Sequence, residues 1–171
     1  MSFRFLTFVV VLPLLFIPLQ AAVLGGDSIN ASHYFPDLST VNFDMGTQTA
    51  PAVFDYFGIY TLTVNDSTIL LDAHCGDGCT WSGATFNGPV ISDLSNSPIT
   101  DVTIDAASSY AGFDVSRLAF DGSHVYMNLQ GLDANGFLQL DLTSVPEPGT
   151  LGLLGVSLFG LGFGARRRLF R

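Results

Sequence analysis

The sequence predicts an all-β domain, an antiparallel β-sandwich of jelly-roll or immunoglobulin-like type, flanked by an N-terminal signal peptide and a C-terminal transmembrane helix. Three observations carry that expectation. Residues 23–144 hold 14 aspartates and no glutamate; Asp suits turns and strand ends, whereas Glu suits helices. The same span alternates apolar and polar residues with period two and shows no helical period. Each end of the chain, by contrast, is an apolar run with the flanking residues of a targeting segment.

Met1 to Ala22 has one cation, Arg4, then an apolar stretch from Phe5 to Leu19, then Gln20-Ala21-Ala22. Small residues before a cleavage point and the breaks at Pro13 and Pro18 fit a removable signal peptide. Within the domain, Pro51 to Val64 is aromatic and β-branched, with Phe54, Tyr56, Tyr60, Leu62 and Val64 at even positions. Asn65-Asp66 marks a turn, and Ser67 to Ala73 returns. Ile99 to Ala106 puts Val102 and Ile104 on one face. Val115 to Phe120 runs into Asp121-Gly122, a favoured hairpin turn, and His124 to Gln130 follows with Val125, Met127 and Leu129 facing one way. Asp133 to Gly136 is a second turn signal, after which Leu138, Leu140 and Leu142 share a side. The total comes to about eight or nine strands, the pattern of a sandwich. No repeat of 20–50 residues points to a solenoid or propeller.

Composition narrows function. Residues 23–144 suit one domain. They carry no lysine and one arginine, Arg117, for a formal charge of −13. Such a surface repels phosphate backbones, so nucleic acid is excluded as a partner. Both apolar ends inflate the 48% hydrophobic share and are left out of the fold argument.

Cys75 and Cys79 are the only cysteines, in His74-Cys75-Gly76-Asp77-Gly78-Cys79. Export places them in an oxidising compartment, where a disulfide pinning a hairpin tip is expected; the alternative is a metal held by His74, Cys75 and Cys79. No cofactor or metal is expected. The aspartates leave Ca²⁺ as an alternative, with Asp72 and Asp77 around the cysteine loop and Asp133, Asn135 and Asp141 near the last turn. His33, His74 and His124 are isolated from one another, and no Gly-x-Ser-x-Gly elbow is present. Trp81, Phe86, Tyr34, Tyr56 and Tyr126 are aromatic candidates for stacking on sugar rings, with core packing as the ordinary alternative. Asn30-Ala31-Ser32 and Asn65-Asp66-Ser67 fit the glycosylation pattern.

The C-terminal 27 residues are the most specific part of the chain. Val145-Pro146-Glu147-Pro148 is stiff and extended, because each proline fixes its own φ and biases its predecessor away from helix. Thr150 to Ala165 is uncharged and apolar; as a helix it would span roughly 24 Å against a hydrocarbon core of about 30 Å. Arg166, Arg167, Arg168 and Arg171 reach the headgroups and stay cytoplasmic. The domains expected are therefore 1–22, 23–144 and 145–171, the last divided into motif 145–148, membrane span 150–165 and basic end 166–171. Because the last strand closes near Leu142, the linker to the membrane is expected to be very short.

This order of Pro-Glu-Pro motif, apolar run and arginines resembles the PEP-CTERM sorting signal of exported bacterial proteins. The resemblance covers the last sixth of the chain. It implies an exosortase, a membrane-embedded transpeptidase-like protease, that recognises Val145, Pro146, Glu147 and Pro148 and processes the tail, with Arg166, Arg167 and Arg168 as the basic stop. It also implies signal peptidase and the Sec translocon as partners and a transient inner-membrane intermediate. The destination is then the cell surface or extracellular matrix of a Gram-negative-type bacterium, with exopolysaccharide as a further partner. The function expected is that of a structural or interaction protein with no catalysis of its own. The alternatives are a carbohydrate-binding module for exopolysaccharide, with Trp81 among its contacts, or a small secreted hydrolase using aspartates.

Overall fold

The computed structural model describes residues 23–95 and 98–144. The expected signal peptide and the tail from Val145 onward lie outside the described residues. Ten strands form two five-stranded sheets in which every pairing is antiparallel. The first sheet contains β1 (Ser28–Tyr34), β2 (Val41–Thr49), β6 (Gly88–Asp93), β8 (Leu118–Phe120) and β9 (His124–Met127), in the order β2-β1-β6-β9-β8. The second contains β3 (Ala52–Tyr56), β4 (Tyr60–Val64), β5 (Thr68–His74), β7 (Ile99–Ile104) and β10 (Asn135–Ser144), in the order β3-β4-β5-β10-β7. The fold is all-β. Among the described residues no helix is long and apolar enough to cross a membrane.

Alternation builds the core. Phe54, Leu62, Leu71 and Leu140 lie on one face of the second sheet, and all four are buried. Ile29, Ala31, Ile91, Val125 and Met127 of the first sheet join them in a single hydrophobic cluster. Each such aliphatic or aromatic side chain contributes about 1.5–3 kcal/mol on burial, so this shared layer holds the two sheets together.

Several sequence expectations change. There are ten strands, not eight or nine. The run Pro51–Val64 is two strands, because Phe57, Gly58 and Ile59 turn the chain between β3 and β4 and the Ile59 N–H donates to the Tyr56 carbonyl at 2.8 Å. The even-numbered residues stay buried on both sides of that turn. Asp133 to Gly136 is not a hairpin turn: β9 and β10 belong to different sheets, Asp133 bridges to Thr80, and Asn135 and Gly136 already pair with β5. β10 runs to Ser144, two residues further than Leu142, which leaves a single residue before Pro146.

The sequence reading assigned no bounds to β1, β2 or β6. β6 begins with Gly88-Pro89, which resembles a loop, yet glycine is required there: a Cβ on Gly88 would meet the Met127 carbonyl oxygen at 2.0 Å. β2 carries two irregularities against β1. Met45 and Asn42 are each skipped in the register, so both are bulged residues, and the alternation of Val41, Phe43 and Met45 breaks at Gly46, which has φ +92°.

The strands define two ends. At one, the Leu24 N–H donates to the Asp66 carbonyl and the Leu142 N–H to the Ser67 carbonyl, each at 2.8 Å. The beginning of the domain, the β4–β5 turn and the close of β10 therefore meet. At the other, His74 N–H donates to the Ile59 carbonyl at 2.9 Å and Cys75 N–H to the Ala134 carbonyl at 3.1 Å. The β3–β4 turn, the loop after β5 and the start of β10 meet there. Ten residues of β10 separate the ends, about 30 Å at ~3.4 Å per residue.

Candidate functional site

The end away from the termini holds a cleft of about 280 Å³ lined by His33, Phe35, Asn42, Tyr56, Ile59, Cys75, Cys79, Thr80, Trp81, Ser82, Asn87 and Ala134. His33 and Tyr56 reach it from the last turns of β1 and β3, and Asn42 from one of the bulges of β2. Bulges of this kind re-aim a side chain out of the regular pleat. Trp81, Thr80 and Ser82 come from the loop between β5 and β6. The rings form a continuous array: His33 stacks on Tyr56 at 4.2 Å and Trp81 lies 5.5 Å from His33. The array continues outward, with Phe43 at 6.0 Å from Tyr56 and Phe57 at 4.3 Å from Phe43. Phe57 is 65% exposed and has φ +52°, a left-handed conformation that a bulky side chain adopts at a cost.

The floor is polar and locked. His33 is 2% exposed. Its Nε2 lies 3.0 Å from Asn87 Oδ1 and its Nδ1 3.0 Å from the Tyr60 hydroxyl. Asn87 Nδ2 donates to the Ser82 carbonyl at 3.0 Å, which fixes the amide orientation. Asn87 Oδ1 can then only accept, so Nε2 carries the proton and Nδ1 accepts from Tyr60. Burial drives the His33 pKa down to about 4, partly opposed by the Asn87 bond; the imidazole is neutral at physiological pH. Burial likewise raises the Tyr60 phenol well above its ordinary range. Trp81 Nε1 donates to the Tyr110 hydroxyl at 2.8 Å, so the indole is also held from behind.

Cys75 and Cys79 form the expected disulfide. It does not pin a hairpin tip, because the chain after β5 crosses to the other sheet. Instead it closes a small loop that clamps onto the start of β10: Ala134 N–H donates to the Cys79 carbonyl at 2.7 Å, and Asn135 bonds Gly76 through both its Oδ1 (3.0 Å) and its Nδ2 (2.8 Å). With both sulfurs bonded to each other, the His74-Cys75-Cys79 metal set has no thiolate to offer.

The calcium candidates do not converge. Asn135 Nδ2 donates to Asp133 Oδ1 at 2.6 Å, whereas Asp141 sits near the other end of β10 opposite Thr68. Asp72 pairs with Phe137, also within the ladder. Among the described residues no three His, Cys, Asp or Glu side chains are grouped to hold a metal ion. Of the five aromatic candidates for sugar stacking, Tyr56 and Trp81 lie against the cleft, although both are buried in the core cluster. Phe86 is buried, and Tyr34 and Tyr126 are half-buried on the outer face of the first sheet. Asn30 is committed within β1, donating to Asp44, Gly46 and Thr47.

Ser123, His124 and Asp121 are hydrogen-bonded together beyond β8, but both Ser123 Oγ (3.1 Å) and Asp121 Oδ1 (2.9 Å) lie against His124 Nδ1. A proton relay needs the two partners on different ring nitrogens, so this trio is a turn and not a triad. The Ser123 N–H and the His124 and Tyr126 side chains hold the Asp121 carboxyl below the ordinary range. Burial and that carboxylate push the Tyr126 phenol up to about 12.

Sequence reasoning missed His33 and Asn42 as cleft residues and Phe57 as the neighbour of Tyr56. The bulge at Asn42 and the positive φ at Phe57 are backbone features with no sequence signature. His33 is a single imidazole whose partners lie 27 and 54 residues away.

No curated protein and no solved structure matches the chain. Residues 144–168 match the family described as the PEP-CTERM protein-sorting motif. That span begins on Ser144, the last residue of β10, and includes Val145–Pro148 and Arg166–Arg168. The motif directs export and sorting to the cell surface through an exosortase, a membrane protein. The chain carries a PEP-CTERM sorting signal fused directly to the closing strand of an all-β domain.

Proposed function

We propose that this is a non-catalytic surface or matrix protein whose β-sandwich domain, residues 23–144, is the cargo of two targeting segments. Residues 1–22 direct the chain to the Sec translocon and are removed by signal peptidase. Thr150–Ala165 then holds it transiently in the inner membrane of a Gram-negative-type bacterium, with Arg166–Arg168 as the cytoplasmic stop. An exosortase recognises Val145-Pro146-Glu147-Pro148, and the domain passes to the surface or to an exopolysaccharide matrix. The observation that carries this reading is the motif match beginning where the last strand ends.

Deleting Val145–Arg171 is expected to release the domain unsorted into the periplasm or medium, folded as before. Fractionation of cells expressing the two forms, with mass determination of the mature chain, measures this. Identical sorting of both forms would refute the proposal.

A further inference from the structure

The cleft has a chemical character that the rest of the domain lacks. The domain holds 14 aspartates, yet no carboxylate and no arginine lines this cavity. It is floored by the accessible parts of the otherwise buried Tyr56 and Trp81 rings and lined by neutral hydrogen-bonding groups. Asn42, Thr80 and Ser82 are exposed, and their side chains make no hydrogen bond to any described residue, in contrast with His33 and Asn87, whose polar atoms are paired within the floor. The locked groups shape the site and the unpaired ones face outward. Apolar rings with a few convergent polar groups on a pre-formed frame are the features of a small-molecule site. Absence of charge excludes phosphates, carboxylates and amines as preferred ligands, and the acidic surround repels anions further.

We propose that this cleft binds a neutral pyranose, one sugar unit of an oligosaccharide. Ring C–H groups pack against the small accessible parts of Tyr56 and Trp81, each 8% exposed, and sugar hydroxyls pair with the Asn42 amide and the Thr80 and Ser82 hydroxyls. Phe57 provides a second stacking position for the next unit of the chain. Two independent backbone irregularities serve the same end of the molecule: Asn42, which lines the cleft, is a bulged residue, and the left-handed Phe57 holds an exposed ring 5.1 Å from Tyr56. The volume of about 280 Å³ suits one sugar ring, which is why the second unit must lie outside on Phe57. The site faces away from the end where β10 hands over to the sorting motif. A chain tethered by its tail would therefore present the cleft outward. This deepens the interaction-protein reading above and rests on it only for where the glycan is met.

Trp81 is the sole tryptophan, so its fluorescence reports directly on this cleft. The full-length chain, in a detergent without a sugar headgroup, is titrated with glucose, galactose, mannose and their neutral trisaccharides, with polygalacturonate as the charged control. The expected result is a saturable change in Trp81 emission with at least one neutral sugar, at millimolar Kd for monomers and roughly tenfold tighter for the matching trimer. Asn42→Ala combined with Ser82→Ala is expected to weaken both about tenfold or more. Phe57→Asn is expected to remove the trimer's advantage while leaving monomer binding within about twofold. Circular dichroism on each variant separates lost binding from lost folding. No emission change with any neutral sugar would overturn the proposal, as would polygalacturonate binding as tightly, or titrations unaltered in the folded double variant. None of these results bears on sorting, which the tail deletion tests separately.

Discussion

The two ends of the domain are built on opposite plans. Where β10 closes, the chain is economical: Leu24, Asp66, Ser67 and Leu142 are joined by backbone hydrogen bonds, and the sorting motif begins at once. At the far end, backbone regularity is abandoned. A disulfide loop, a bulge, a positive-φ phenylalanine and a buried histidine crowd around one cleft. His33 and Asn87 are buried and Phe57 is left-handed at the cleft end, whereas the other end holds the buried Asp93 and a register shift at Thr143/Ser144. On the reading proposed above, attachment and recognition are separate physical problems, placed about 30 Å apart.

The largest expected effect that tests this contrast is acid lability centred on the cleft. His33 is neutral in the fold, with its pKa depressed from 6.5 to about 4. The unfolded chain therefore binds a proton between those values that the folded chain refuses, and stability rises with pH across that window. Its contribution is complete above pH 6.5, declines as pH falls, and is lost once pH passes below about 4; the total is about 3 kcal/mol. Asp37, Asp44 and Asp114, held below 3.8 by hydrogen bonds from Ser39, Asn30 and Ser116 respectively, act at lower pH. Urea midpoints measured from pH 7 to 4 should fall for the native chain and fall much less for His33→Gln. Equal slopes would mean that the floor of the cleft is not where acid acts.

The next effect is that of the disulfide. Replacing Cys75 and Cys79 by serine opens a loop with a sequence separation of 4, for which chain entropy gives a loss of about 2 kcal/mol. Because the loop clamps Ala134 and Asn135 at the start of β10, amide exchange should rise there and around Trp81. Protection at Leu142 and Ser67 should hold. Exchange that rises equally at both ends would erase the distinction between them.

How much of this was legible in the sequence follows the same division. The second sheet was nearly transparent: Phe54, Tyr60, Leu62, Leu138, Leu140 and Leu142 occupy the buried face that period-two alternation assigns. The sorting tail was legible because its three parts are contiguous and each has a local signature. The Cys75–Cys79 bridge was legible from spacing and compartment. The cleft was not, since its residues come from three strands and four connecting segments, and the bulge that places Asn42 is a property of pairing between β1 and β2. No strand was assigned at Gly88-Pro89, because local propensity cannot see the Met127 carbonyl that excludes any side chain. The Asp133–Gly136 signal misled for a related reason: Asp133 and Asn135 serve as a clamp on another loop, a use of turn-forming residues that only the fold discloses.

The smallest effect is the most discriminating. Phe57 has φ +52° with its ring 65% exposed, and asparagine tolerates that conformation better than any β-branched or bulky residue. Phe57→Asn removes the contacts with Phe43 at 4.3 Å and Tyr56 at 5.1 Å, each about 0.5 kcal/mol for a pair with one exposed ring, against ~1–2 kcal/mol of left-handed strain. The substitution should therefore raise stability by up to about 1 kcal/mol, read as a higher urea midpoint at constant m. A residue whose replacement stabilises the fold is not kept there by the fold. If the same variant is also the one that loses the second sugar position, strain at this end is tied to recognition; if it destabilises the chain instead, Phe57 is part of the packing and the contrast between the two ends weakens at its rim.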